Sequence, residues 1–388
     1  MSVTSAQGFR ASGVAAGLKA SGNPDVALVV NDGPLDVAAG VFTSNRFKAA
    51  PVLWSQQAVA DGQFKAVVLN SGGANACTGP GGFADTHHTA EHVASVLSTA
   101  GLEIGPGDVA VCSTGLIGER LPIGRLLAGV DVAVAELSAD GGAAAATAIM
   151  TTDTVAKVAS ITIDGFTVGG MAKGAGMLAP ALATMLVVLT TDATVNPEQA
   201  DQALREACGL SFDRIDSDGC MSTNDTVLLL ASGASGVTPD ATVFADAVTQ
   251  VCSDLARQLI ADAEGASKDI EIVIEEAAST DDALEVARAV ARSNLLKCAI
   301  HGEDPNWGRV LSAIGTTQAA FASDAVDVAI NGVWVCSSGS IGESRDLVDL
   351  SGRHVRITVN LHAGHERATV WTNDLTAEYV HENSAYAT

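Results

Sequence analysis

The chain has few basic residues for its length. Its 388 residues include 21 Lys and Arg against 45 Asp and Glu, which gives a formal net charge of −24. Nucleic acids and anionic membranes bind basic surfaces, so this charge argues against both kinds of partner. We therefore expect an acidic, solvated surface, on which any anionic ligand needs cations placed locally beside it.

Long apolar runs are also missing. No uninterrupted hydrophobic stretch approaches the roughly 20 residues of a membrane-spanning helix. The N-terminal residues MSVTSAQGFRASG have neither the basic start nor the apolar centre of a signal peptide. A hydrophobic content of 47% with 39 glycines is typical of a compact globular protein. The sequence therefore predicts a cytoplasmic protein that does not associate with membranes.

The sequence lacks the common metal and nucleophile motifs. Its seven cysteines never form CxxC and are odd in number, which favours reduced thiols over a disulfide framework or a structural zinc site. The motifs GxSxG, HExxH, the Walker loop and the EF-hand do not occur. His88 and His92 are four residues apart in a predicted helix, but without a metal-binding motif a surface role is favoured. We expect no metal ion and no prosthetic group.

Strand-like and helix-like segments alternate irregularly, which argues against a regular Rossmann or barrel fold. We predict strands at 26–31, 66–70, 108–111, 157–168, 182–190, 226–231, 270–275, 326–335 and 355–373. We predict helices at 83–99, 131–150, 196–208, 240–263 and 280–296. The mixture predicts an α/β fold of the mixed α+β layered-sandwich type. We predict a main domain over 1–279 and a smaller C-terminal α/β domain over 280–388.

A glycine-rich segment, KGAGMLA, precedes the apolar run of residues 177–193. It contains G-x-G-x-x-A, and Asp192 follows Gly174 at nearly the spacing of a ribose-binding acid, so a dinucleotide-binding oxidoreductase is one alternative. Pro180 and the strand-like residues 185–189 stand where that motif needs a helix. The glycines fit better with a close approach of the backbone to a substrate or a scissile bond.

Within this apolar run, MLAPALATMLVVLTTDA, Thr184 is a candidate nucleophile. No histidine- or cysteine-based site supplies it with a base. A threonine at a chain N-terminus can use its own α-amine, because the pKa of a free α-amine is about 7.7–8.0. That requires self-cleavage at Ala183–Thr184, in which the hydroxyl attacks the preceding carbonyl and water hydrolyses the ester. The alternative is an inert strand threonine in a non-catalytic binding protein.

The segment KGAGMLAPALATML closely resembles the self-cleavage signature of the ornithine acetyltransferase (bifunctional glutamate N-acetyltransferase) family of arginine biosynthesis. Other segments resemble the family's motifs in their order along the whole chain: GFRASGVAAGLK (8–19), VFTSNRFKAAPV (41–52), NSGGANACTG (70–79), CSTGLIGE (112–119), MTTDT (150–154), STNDTVLL (222–229), EGASK (264–268), DPNWGR (304–309) and the terminal YVHENSAYAT. The resemblance implies a two-domain layered α/β sandwich with the active site at the domain interface. It also implies processed chains of 1–183 and 184–388 that assemble as an α2β2 heterotetramer.

The resemblance also implies roles for single residues. Thr184 matches the nucleophile, and Thr114 and Gly115 match the pair that forms the oxyanion hole, for which a hydroxyl and a backbone N–H are suitable donors. The matching substrate-binding positions are Thr151 or Thr152, Lys173, Thr184, Glu264, Asn383 and Thr388. A lysine suits a substrate carboxylate, and a glutamate suits a substrate ammonium.

The implied reaction is ping-pong transfer of acetyl from N2-acetyl-L-ornithine to L-glutamate through an acetyl ester of Thr184. Acetyl-CoA as a further donor separates bifunctional from monofunctional members, and the sequence leaves both open. A self-cleaving N-terminal-threonine amidase or aminopeptidase, in which water is the acceptor, is the nearest alternative. The chain departs from the family at Gly73, where asparagine is frequent, and at DGCM (218–221), which leaves substrate preference near them open.

Overall fold

A computed structural model describes residues 2–179 and 185–385. The strands of these ranges are β1 (Phe9–Val14), β2 (Val26–Asn31), β3 (Val37–Phe42), β4 (Ala66–Asn70), β5 (Val109–Ser113), β6 (Lys157–Ile163), β7 (Phe166–Lys173), β8 (Leu186–Thr191), β9 (Thr226–Ala231), β10 (Asp269–Ala277), β11 (Asp327–Ile330), β12 (Val333–Ser337), β13 (Ser340–Ile341), β14 (His354–Asn360) and β15 (Glu366–Asn373). The helices are α1 (Ala50–Ala58), α2 (Gly79–Thr99), α3 (Ile123–Ala135), α4 (Gly142–Ala148), α5 (Pro197–Leu210), α6 (Ala241–Ala261), α7 (Thr280–Ala291), α8 (Asn294–His301), α9 (Trp307–Ile314) and α10 (Ala377–Ala385). None of the helices in the described parts of the chain is long and apolar enough to cross a membrane.

Two β-sheets pack face to face in the first part of the chain. One has the strand order β1-β2-β4-β5 and the other β3-β9-β8-β7-β6. Their facing side chains, among them Val29 and Leu228, form one core. Helices α2 and α3 cover the outer face of the first sheet, and α5 and α6 cover that of the second. Strands such as β2 and β8 are buried at every position, as their continuous apolar sequences require. These four layers confirm the predicted layered α/β sandwich.

A third sheet, with the order β13-β12-β11-β14-β10-β15, packs against α7, α8 and α9. Its strand β10 begins at Asp269, so the sheet includes residues on the N-terminal side of position 280. The division into 1–279 and 280–388 stays a prediction.

Two predicted helices are each divided in the structure. The segment 131–150 contains the end of α3 and all of α4, because Ser138 forms a two-way backbone bridge with Ala11 of β1. At Gly141 the chain runs so close that a Cβ would lie 1.8 Å from the Ala11 oxygen, which no other residue type would tolerate. The segment 280–296 is interrupted where Ser293 caps α8 by accepting a hydrogen bond from the Leu296 N–H.

Tight turns divide two of the predicted strands into hairpins. Asp164 and Gly165 both have positive φ between β6 and β7, and Asn331 and Gly332 do the same between β11 and β12. This is the backbone of a two-residue hairpin turn, which Asp-Gly and Asn-Gly favour. By contrast, the predicted start of α5 is confirmed: Asn196 is the N-cap, Pro197 is the first helical residue, and Asn196 forms a reciprocal capping box with Gln199.

Candidate active site

A small cleft of about 80 Å³ lies where the chain leaves β5 and meets the end of β7. It is lined by Thr114, Gly115, Thr151, Thr152, Lys173, Gly176, Met177, Glu264 and Asn383. Seven of these residues are predicted site residues, drawn from distant parts of the sequence. A larger depression of about 540 Å³, lined by α1, β3 and α5, contains none of the predicted site residues. The structure therefore brings together the predicted residues that it describes, and their chemical roles stay predictions.

The predicted oxyanion pair occupies the turn that follows β5. Thr114 is buried, its N–H donates to the Asn70 carbonyl at 2.9 Å, and its carbonyl accepts from the Gly73 N–H at 3.0 Å. Gly115 has a φ of +130°, and a Cβ there would lie 2.8 Å from the Gly73 nitrogen. Glycine is therefore required for this turn to pack against residues 72–73. The parallel pairing of β4 and β5 places both segments at the same edge of the sheet.

Three polar side chains hold this turn in place, and the sequence predicts no role for them. Ser113 Oγ donates to Asn70 Oδ1 at 2.6 Å, and Asn70 Nδ2 donates to the Gly73 carbonyl at 3.1 Å. Asn224 Nδ2 donates to the carbonyls of Ser113 and Ala74. All three side chains are buried, so their polar groups pair within the protein and these hydrogen bonds hold the turn in place. The sequence does contain a signal for these three side chains, because the polar segments NSGGAN and STND lie directly beside apolar strands.

Lys173 is a buried lysine that directly contacts the predicted oxyanion residue. Its Nζ donates to Thr114 Oγ1 at 3.3 Å, which leaves the Thr114 hydroxyl proton free to donate elsewhere. Burial lowers the pKa of Lys173, and the nearby charge of Lys157 lowers it further, while Asp153, Glu264 and Asp225 oppose the shift. A carboxylate entering the cleft would favour the protonated form of Lys173, because it brings an opposite charge close to the amine with little competing water.

Asp153 ties the threonine pair to the end of β7. Its carboxylate accepts hydrogen bonds from the N–H of Thr151 at 2.9 Å, the N–H of Gly174 at 2.7 Å and Lys157 Nζ at 2.6 Å. Burial alone would raise its pKa, but the charges of Lys173 and Lys157 and these hydrogen bonds lower it to about 2. Asp153 is therefore ionised at neutral pH and fixes residues 151–153 beside Lys173.

Glu264 and Asn383 close the opposite side of the cleft. Asn383, on α10, donates from Nδ2 to Glu264 Oε2 at 3.0 Å. The Glu264 N–H donates to the Ala175 carbonyl at 3.0 Å, which anchors it to the glycine-rich segment. A Cβ at Gly176 would lie 2.6 Å from the Glu264 carboxylate, so this glycine allows the close approach.

Three predicted site residues, Ala183, Thr184 and Thr388, lie outside the described residues. The chain flanking the predicted scissile bond is described on both sides. Lys173 pairs with Leu186 where β7 and β8 run antiparallel, so the segment between them begins and ends beside the cleft.

The structure also bears on the dinucleotide-binding alternative and on other kinds of site. Residues 174–179 form no helix, and β8 follows where a dinucleotide loop would need one, which removes the basis for that alternative.

Cys112 is the thiol nearest in sequence to Thr114, and burial raises its pKa to about 12, so it is protonated and a poor nucleophile. His92 Nε2 lies 2.7 Å from Asp131 Oδ1 at the surface. Within 2–179 and 185–385, no group of three or more His, Cys, Asp or Glu could hold a metal ion.

Comparisons with known proteins agree with the resemblance found in the sequence. The ArgJ family model matches residues 10–388. The chain is 68% identical over 387 residues to the arginine biosynthesis bifunctional protein ArgJ of Streptomyces avermitilis and 64% identical over 388 residues to that of Thermobifida fusca, with all of each chain covered. A crystal structure of ornithine acetyltransferase complexed with ornithine, from Mycobacterium tuberculosis, is 61% identical over 48% of this chain and 96% of that one, with a TM-score of 0.46. The family model and the two Streptomyces and Thermobifida relatives confirm the family predicted from the sequence: the chain belongs to the ArgJ family.

Proposed function

We propose that this protein is a glutamate N-acetyltransferase of arginine biosynthesis. It moves the acetyl group of N2-acetyl-L-ornithine to L-glutamate through an acetyl ester on Thr184. Family membership supports acetyl transfer, since the relatives carry the name of a bifunctional arginine biosynthesis protein. The observation that carries the proposal is the cleft itself, in which seven residues from five distant segments line one space.

The first step of the proposal is self-cleavage. The Thr184 hydroxyl attacks the Ala183 carbonyl carbon, the C–N bond between the two residues breaks, and the acyl group passes from nitrogen to oxygen. Water then hydrolyses the ester, which leaves a carboxylate on Ala183 and a free α-amine on Thr184. Negative charge develops on the Ala183 oxygen during attack, and the Thr114 hydroxyl with the Gly115 N–H are the proposed donors.

The second step is acetyl transfer in two halves. The Thr184 α-amine takes the proton of its own hydroxyl as the oxygen attacks the acetyl carbonyl, and it returns a proton to the departing ornithine nitrogen. In the second half the glutamate amine attacks the acetyl-threonine ester and releases the hydroxyl. Both tetrahedral intermediates carry an oxyanion, so both would use the same two donors. This sequence requires ping-pong kinetics.

The polar walls of the cleft suggest how an amino acid is oriented. Lys173 is buried and cationic groups attract carboxylates, so it is the proposed partner of the substrate α-carboxylate. Glu264, held by Asn383, is the proposed partner of a substrate ammonium. Thr151, Thr152 and Thr388 are proposed further contacts to the substrate.

The proposal is tested by following acetylornithine with and without glutamate. We expect ornithine release to continue only when glutamate is present, in equal amount to N-acetylglutamate, with parallel double-reciprocal lines. Ornithine release that is independent of glutamate would instead identify the amidase alternative, in which water is the acceptor. The same assay with acetyl-CoA and glutamate decides whether the protein is bifunctional.

Thr184→Ser and Thr184→Ala provide the controls for the nucleophile. The serine variant keeps a hydroxyl and should retain cleavage and transfer at a reduced rate, whereas the alanine variant should stay uncut and inactive. Equal activity of the alanine variant and the unsubstituted protein would refute the proposal.

We further propose that the processed chains assemble as an α2β2 heterotetramer in the cytoplasm. Sedimentation equilibrium of the purified protein, combined with denaturing electrophoresis, measures the assembly. We expect two kinds of chain in equal number and four chains per particle.

A further inference from the structure

Asp225 is a fully buried carboxyl group beside the start of β8, outside the set of predicted site residues. Its Oδ1 accepts a hydrogen bond from the Met185 N–H at 3.1 Å. Its Oδ2 is buried, and no hydrogen bond of normal geometry reaches it from the described residues. A buried polar atom without a partner is rare enough in native structures to require an explanation.

The position of Asp225 in the sheet explains why a side chain is used here. β8 and β9 run parallel, with Leu186 opposite Thr226, and the Thr226 N–H donates to the Met185 carbonyl at 3.1 Å. The main-chain carbonyl of Asp225 is already engaged on the other side of β9 by the Thr43 N–H at 2.9 Å. The Asp225 carboxyl therefore replaces a main-chain acceptor for the N–H of Met185, the residue directly before β8.

This hydrogen bond acts on the peptide group next to the proposed nucleophile. Met185 N is covalently bonded to the carbonyl carbon of residue 184, and the peptide group is planar. Fixing the Met185 N–H therefore restricts rotation of that peptide. A positional error of about 1 Å can cost an enzyme roughly 100-fold in rate, so such a restraint has catalytic consequences.

The surroundings of the carboxyl favour its neutral form. Among the described residues, no cation hydrogen-bonds either oxygen, and an ionised carboxylate with one bare oxygen is costly to bury. Lys173, on β7, is the charged group that acts on it, and Ser222 and Thr43 are the neighbouring hydroxyls. Burial raises the pKa of the Asp225 carboxyl well above its usual range and outweighs the opposing effects of the Met185 N–H, the Ser222 hydroxyl, Lys173 and the Thr43 hydroxyl.

We infer that Asp225 is a neutral positioning residue, whose carboxylic acid holds the peptide between Thr184 and Met185 in the orientation needed for self-cleavage and acetyl transfer. The inference rests on the proposed function. Oδ1 serves as the acceptor, and the proton resides on Oδ2. Asp225 exchanges no proton in either step, which separates its role from that of the Thr184 α-amine.

Asparagine is the substitution that tests this directly, because its amide copies a neutral carboxylic acid with one acceptor and one donor side. We expect Asp225→Asn to self-cleave and transfer acetyl within about threefold of the unsubstituted protein, with the same pH profile, and Asp225→Ala to be slower by about tenfold or more in both. Cleavage is followed by cell-free translation and electrophoresis. Asp192→Asn, which changes a buried aspartate at the other end of β8, is the matched control and should cleave within about twofold.

The inference is overturned if the asparagine variant is as slow as the alanine variant, because an ionised carboxylate would then be required. It is also overturned if the alanine variant matches the unsubstituted protein. Infrared difference spectra between the unsubstituted protein and Asp225→Asn at neutral pH should show the band of one protonated carboxyl, and a carboxylate band would contradict the neutral form. This spectrum does not depend on cleavage, so an uncut and inactive protein would refute the proposed function, whereas the spectrum would still support or overturn the neutral carboxyl of Asp225.

Discussion

Asp153→Asn removes a carboxylate that links the threonine pair, Gly174 and Lys157. The native carboxyl accepts two backbone N–H groups and one lysine, and its side chain is fully buried. Asparagine has nearly the same shape but no charge, so it leaves Lys157 and Lys173 less compensated. Breaking a buried ion pair on one side costs about 3–5 kcal/mol. Asp262 still contacts Lys157, so we expect a loss near the lower end of that range.

The pH dependence of this loss follows from the pKa of Asp153. The folded pKa of about 2 lies below the ordinary 3.8, so the carboxyl stabilises the fold above the ordinary value and this contribution is lost as pH falls through 2. The difference between the two pKa values corresponds to about 2 kcal/mol. That contribution is fully present above about pH 5 and falls to about half at about pH 3.

Urea unfolding of the unsubstituted protein and of Asp153→Asn at a series of pH values measures both effects. We expect the difference between the two free energies of unfolding to be largest near neutral pH and to shrink by about 1 kcal/mol towards pH 3, since the asparagine does not titrate. A difference that stays constant over this range would refute the assignment of a lowered pKa. Equal stability at neutral pH would refute the structural role of Asp153.

Three further substitutions test separate parts of the structure. Gly115→Ala should reduce kcat by roughly 100-fold or more if this turn supplies the oxyanion donor. Gly118→Ala controls for backbone strain, because Gly118 also has a positive φ but no atom lies within 4 Å of the added Cβ. Equal values of kcat for the two variants would contradict the prediction. Asn196→Ala should lower the free energy of unfolding by about 1 kcal/mol through loss of the α5 cap, with acetyl transfer unaffected. Arg292→Met removes the partner of the buried Asp216 Oδ2 and should destabilise by about 1–3 kcal/mol in urea, and adding Asp216→Asn should recover part of that loss.

The sequence predicts the layers of the fold well because both faces of its strands are buried. β2 and β9 are continuous apolar runs, and their predicted bounds agree with the structure. The sequence predicts each of the two hairpins as a single strand because hydrophobic periodicity does not register a two-residue turn. Asp164-Gly165 and Asn331-Gly332 are the residues that carried the signal, through their preference for positive φ. The break between α3 and α4 depends on contact with β1, which local sequence does not contain.

The candidate site, like the fold, is predictable from the sequence only in part. Lys173 and Glu264 were predicted from motif resemblance, and their convergence depends on long-range packing that no local pattern specifies. Asp225 and Asn224 stand in a quoted motif, STNDTVLL, yet were given no role. Their importance comes from burial beside β8 and the turn after β5, and burial of an acid is visible only once neighbouring strands are in place.

The central claim is that Thr184 becomes a chain N-terminus and carries the acetyl group. Intact mass and fragment-ion spectrometry of the purified protein, after incubation with N2-acetylornithine in the absence of glutamate, tests it most directly. The account predicts two chains, 1–183 and 184–388, with one acetyl group on the second chain at Thr184 that disappears when glutamate is added. A single uncut polypeptide, or an acetyl group on any other residue, would contradict it.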